Sequence, residues 1–196
     1  MLLTNNGILP AKEGIKIFAE GIDPAVAAAY GTVVESPANA DLIVYRTTSS
    51  PDRGGFFPGP PPAPQPQPQR GRRPAPAPAP RMDPFAPTEV DIDFPSVKME
   101  RLQELVATGK PVVADINPTG SSLVITPELK ALPQAMILSF DPTDVAVMDV
   151  IFGRHNPKST LPFEIPSSLD AVRAQLEDVP FDSEEPSFPF GFGLTY

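Results

Sequence analysis

Arg46 closes the run Asp41-Leu-Ile-Val-Tyr-Arg46, whose apolar residues read as a strand buried on both faces, as parallel strands are. In open α/β sheets ligands bind beyond the carboxyl ends of the strands. A guanidinium there, with Arg53 further along the same connection, could contact a ligand or hold a loop carboxylate; a structural ion pair is an equal alternative. Asp115 sits inside the apolar stretch Pro111 to Ile116, where an acid needs a partner, and Asn117 follows at the strand end. Both are candidates for the same crevice. Glu89, Asp91 and Asp93, beside Pro87, form an acidic cluster that reads first as a solvated strand entry, since acids are usually exposed. His155 is the only histidine and there is no cysteine, so it reads as a turn residue near a helix end; no metal and no cofactor are expected.

These residues need elements to hold them. Gly14 to Glu20 reads as a first strand; Asp23-Pro24 caps a helix from Ala25 to Tyr30, ended by Gly31. Thr32 to Val34 and Asp41 to Arg46 are the next two strands. Beyond Pro95-Ser96, a helix places Met99, Leu102, Leu105 and Val106 on one face and ends at Gly109. Pro111 to Ile116 is a fourth strand, Pro127 to Leu132 a short helix and Ala135 to Phe140 a fifth strand. Asp141 is expected to cap the following helix, with Val145, Met148, Ile151 and Phe152 turned inward, and Ser167 to Asp170 to open a last helix reaching Leu176. Alternation at these lengths implies βαβ units and a mostly parallel sheet covered on both faces.

Composition narrows the function. A net charge of −9 argues against a nucleic-acid partner, because phosphate binding needs a basic surface. No segment reaches the ~20 apolar residues of a membrane span, and the first residues lack the basic flank of a secretory signal; the chain is expected to be cytoplasmic as written. Eleven of the 29 prolines fall between Pro58 and Pro80, where missing amide donors forbid helix and ladder. Residues 49–88 are therefore expected to form a disordered proline-rich loop insertion, the rest of 11–196 one α/β domain, and residues 1–10 a lead-in. Its Pro-Gln-Pro-Gln-Pro run could also serve a proline-binding module.

Two stretches show more than a generic core. Ile151 to Pro166 holds a helix end at Gly153, a turn at Pro157, and an alternation of Leu161, Phe163 and Ile165 that reads as a strand. Phe188, Phe190, Phe192 and Tyr196 are spaced by Pro189, Gly191 and Gly193, so this tail is expected to dock. The aromatic residues could alternatively stack on sugar rings.

The segments "NNGILP" at 5–10, "DVIFGRHNPKSTLPFEIP" at 149–166 and "FPFGFGLTY" at 188–196 resemble the C-terminal domain of glycoside hydrolase family 3, the β-glucosidase and β-xylosidase group. The resemblance implies a flavodoxin-like α/β sandwich and a β-linked glucoside or xyloside as substrate. It also implies a catalytic barrel that carries the nucleophile, as a partner in trans; a face that normally packs on that barrel would otherwise be exposed, so self-association is expected. The family's acid/base comes in many members from the loop after the third strand. That makes Glu89 and Asp91 the candidates here, and Arg46, Arg53, Asp115 and Asn117 the candidates for sugar contact. The chain alone is expected to be inactive. A non-catalytic carbohydrate-binding or protein-interaction module is the alternative.

Overall fold

The computed structural model describes residues 1–49, 96–118, 123–176 and 178–196. Within them, β1 (Leu2–Asn5), β2 (Lys16–Glu20), β3 (Thr32–Val33), β4 (Leu42–Thr48), β5 (Val112–Asn117) and β6 (Ala135–Leu138) form one sheet in the order β1-β6-β5-β4-β2-β3. Every pairing is parallel except β1 with β6. The chain runs outward from β2 to β3, then jumps back across to β4. The strand order thus reverses between β2 and β4, the topological switch point of a flavodoxin-like sheet.

Helices cover both faces. α1 (Pro24–Ala27) and α4 (Asp144–Ile151) pack Ala27, Val147, Met148 and Ile151 onto Ile17, Val44, Val113 and Ile137. On the other face α2 (Ser96–Ala107) and α3 (Pro127–Ala131) pack Leu102, Leu105 and Leu129 onto Ile43, Ala114, Ile116 and Met136. Both are consequences of period-two strands and amphipathic helices burying their apolar sides. α5 (Leu169–Ala174), capped by Ser168, buries none of its residues.

The structure revises several local expectations. Residues 1–10 are more than a lead-in: Leu2 and Leu3 are buried and β1 completes the sheet edge through a partner more than a hundred residues away. The cap of α4 is Thr143, whose side chain accepts from Ala146 N, while Asp141 takes a left-handed φ of 44° in the preceding turn. Val145 is consequently exposed, and Val147 points inward instead. The alternation at 161–165 forms no strand. Leu161 and Ile165 are buried, but Pro162 has no amide to donate and only Ile165 forms a bridge, with Phe188. β6 stops at Leu138, leaving Phe140 exposed.

The tail docks. Leu161 N donates to Phe192 O at 2.8 Å, Leu194 N to Leu2 O at 2.9 Å, and the Tyr196 hydroxyl to Val150 O and His155 O. A Cβ at Gly193 would lie 2.6 Å from Ser159 O, which is why glycine stands there. The proline-rich insertion, from residue 50 on, lies outside the described residues.

Candidate functional site

The carboxyl ends of β4, β5 and β6 carry the polar side chains that the core excludes. Register sets Arg46 beside Asp115 and Thr48 beside Asn117, with Arg46 and Asp115 on the face covered by α1 and α4. Arg46 Nε lies 3.2 Å from Asp115 Oδ2. Its Nη1 donates to Asp144 Oδ1 at 2.6 Å and its Nη2 to Pro142 O at 2.6 Å. Asp144 opens α4, where the helix N-terminus favours a carboxylate, and its Oδ2 accepts from Asp23 N at 2.7 Å. One guanidinium therefore ties together the ends of β4 and β5, the start of α4 and the loop after β2. These elements flank the switch point.

That loop approaches closely. Gly21 has φ 78°, and a Cβ there would sit 2.2 Å from Arg46 O. Asn117 clamps the turn after β6: its Nδ2 donates to Asp141 Oδ1 at 2.7 Å, and Asp141 N donates back to Asn117 Oδ1 at 3.5 Å.

Asp115 is the exceptional group. It is fully buried, and neither carboxylate oxygen receives a hydrogen bond of ordinary geometry. Burial pushes its carboxyl above the usual aspartate range; the nearby Ser139 hydroxyl and Arg46 pull it back. Arg46 is engaged on three sides, so the arrangement can orient a loop and fix the switch-point edge. It presents no general base paired with a nucleophile. His155 is exposed, and among the described residues no group of three His, Cys, Asp or Glu is placed to hold a metal ion.

Of the residues singled out by sequence, Arg46, Asp115 and Asn117 come to this one edge, Arg46 with Asp115 in direct contact. Arg53, Glu89 and Asp91 lie outside the described residues. Sequence reasoning missed Asp144 and Ser139. Asp144 had a signal, an acid in a first helical turn after a strand, but that pattern reads equally well as capping.

A second feature opens beside this edge. A cleft of about 620 Å³ lies between residues 163–166 and the segment from α5 to Asp182, with Leu123, Phe163 and Phe181 among its walls. Phe163 meets Phe140 edge to face at 6.1 Å, and Phe181 stacks on Phe190 at 4.4 Å.

The glycosyl hydrolase family 3 C-terminal domain model matches residues 13–196. The chain belongs to this family. Over all of its length it is 34% identical to beta-glucosidase C of Emericella nidulans and 30% identical to a probable beta-glucosidase C of Aspergillus flavus. It spans 28% and 27% of those two proteins, respectively. A periplasmic beta-glucosidase/beta-xylosidase of Dickeya chrysanthemi is 29% identical, again over the whole chain and 26% of that protein. Among solved structures, a beta-glucosidase from Listeria innocua superposes with a TM-score of 0.66 at 17% identity, covering all of this chain and 32% of that one. This last likeness carries the fold alone. The matched region is the α/β sandwich described above.

Proposed function

We propose that this domain works as the second half of a β-glucosidase-like enzyme, its carboxyl edge closing over a barrel that supplies the nucleophile. The substrate is a β-linked glucoside or xyloside. The observation that carries this reading is the switch-point edge itself, where the Arg46, Asp115 and Asp144 cluster lies beside exposed Phe140 and Phe163. Hydrolysis with retention needs a second carboxyl about 5 Å from the nucleophile, acting as acid and then base. Glu89 or Asp91 supplies it, on the connection that leaves β4. Arg46 serves as a positioning residue: it holds Asp144 and the Pro142 carbonyl, and with Asn117 shapes the loops that face the sugar, while Asp115 fixes Arg46 from beneath. Arg53, on the same connection as the acids, contacts a sugar hydroxyl.

Hydrolysis of a chromogenic β-glucoside by the chain alone, and with a family 3 barrel domain added, tests this. Turnover is expected only in the mixture, and is lost on Glu89→Gln or Asp91→Asn. Silence in a mixture that forms a complex, or turnover by the chain alone, contradicts it. A carbohydrate-binding module is the second reading, favoured by the aromatic cleft.

A further inference from the structure

The cleft beside the switch-point edge has a chemistry of its own. Its apolar walls include Phe163, Leu176 and Phe181, and its polar groups are Glu164, Gln175 and Asp182. Among the described residues no lysine or arginine lines it. Two carboxylates and an amide, set among aromatic rings, accept hydrogen bonds from hydroxyl groups and offer ring faces to apolar C–H surface. The two carboxylates, Glu164 and Asp182, disfavour an anionic ligand.

Phe181 is the more telling residue. It holds φ 59°, a left-handed conformation that suits glycine or asparagine and is unusual for a bulky side chain. Yet the residue is 52% exposed, and its ring stacks on that of Phe190, itself 55% exposed. The core gains little from it. A backbone conformation that disfavours the side chain, kept for a ring that stays in solvent, points to a ligand as the reason. Gln175 and Glu164 are meanwhile fixed: Gln175 Nε2 donates to Glu164 Oε1 at 3.2 Å, and Ser183 N donates to the same oxygen at 2.8 Å. The polar end of the cleft is therefore preorganised.

We propose that this cleft binds a neutral, hydroxyl-bearing ring, a β-linked gluco-oligosaccharide, between the Phe163 and Phe181 rings. The identity of the sugar rests on the β-glucosidase-like reading above. The cleft meets the carboxyl edge through the Phe140 and Phe163 contact, so a sugar held there lies on the side where the barrel would close. It is a binding site distinct from the Arg46 cluster, and it needs no barrel to be occupied.

Cellobiose titrated into the isotope-labelled chain, followed by backbone amide shifts, tests it. Shifts at residues 163–166 and 175–182 are expected, with a dissociation constant of about 1 mM that 0.5 M salt, with a screening length of roughly 4 Å, leaves unchanged. Phe181→Gly should lose binding about tenfold or more. Because glycine suits the left-handed backbone, that variant should keep or raise the melting temperature, an outcome a merely structural phenylalanine would not give. Phe163→Leu, which keeps the apolar volume, should weaken binding as well. Absence of shifts with the folded chain at about 50 mM cellobiose, far above a millimolar constant, overturns the proposal. So do shifts confined to another face, or binding that Phe181→Gly leaves intact. Since no barrel is present, a negative result here leaves hydrolysis in the mixture untouched, and silent hydrolysis leaves sugar binding untouched.

Discussion

Two arginines in this domain each hold two carboxylates, in opposite settings. Arg46 sits between Asp115 and Asp144 with side-chain exposures of 13%, 0% and 28%. Arg101, on the outer face of α2, sits between Glu20 and Glu104 at 37%, 35% and 65%. The pair distances overlap: 3.2 and 2.6 Å in the first cluster, 2.8 and 2.8 Å in the second. Distance alone therefore does not rank them. Water screens the second cluster and replaces either partner at small cost, whereas the first has given up its hydration and depends on itself.

The largest effect that would sharpen this contrast is Arg46→Met. It strands Asp115 in an apolar interior and should destabilise the fold by about 3 kcal/mol or more, read from chemical denaturation. Adding Asp115→Leu to that variant should recover most of the loss, because two apolar side chains then replace the buried pair. Failure to recover would mean that the pair's geometry matters beyond its charge. Gly21→Ala comes next. Its Cβ would collide with Arg46 O in a left-handed backbone, and a loss of about 2 to 3 kcal/mol is expected from strain and displacement together.

The pH dependence of the first cluster follows from Asp115. Its carboxyl is raised above the ordinary 3.8, so in the window between 3.8 and the raised value the folded chain keeps a proton that the unfolded chain has released. Stability from this group is therefore fullest below 3.8 and falls as pH rises through that window. Asp115→Asn should remove this slope, seen as the wild-type minus variant difference in denaturation midpoints. A slope of the opposite sign would break the account of burial as the dominant cause. The smallest effect belongs to the exposed cluster: Arg101→Ala should cost less than about 1 kcal/mol, and high salt should shrink it further. An Arg101 variant as damaging as Arg46→Met would erase the distinction.

The same contrast explains what was legible in the sequence. The strands β2, β4 and β5 and helix α2 were readable because periodicity is local. Asp115 stood out because a charge within an apolar run demands a partner, and Arg46 because it closes a buried strand; each proved to be the other's neighbour. Asp144 lies 98 residues from Arg46. Nothing local distinguishes a carboxylate that caps a helix from one that also grips a distant arginine. β1 was missed for a related reason: Leu2–Asn5 is too short to announce a strand, and only β6, brought alongside by the whole fold, makes it one. The stretch from Leu161 to Ile165 misled in the other direction. Leu161 and Ile165 are buried as the alternation implies, but Phe163 is exposed and Pro162 has no amide to extend a ladder. The aromatic tail docked as expected for Phe188, Phe192 and Tyr196, while Phe190 joins Phe181 in solvent. Family resemblance carried what spacing could not, namely that the chain belongs with the C-terminal domains of glycosyl hydrolase family 3.

The most direct test of the proposal that the carboxyl edge closes over a barrel is amide hydrogen exchange of the domain with and without a family 3 barrel domain. The account predicts slowed exchange along the carboxyl edge, at residues 139–145 and 163–182, with the opposite loops at 11–15 and 108–111 unchanged. Protection confined to those opposite loops, or spread evenly over a complex that forms, would contradict it.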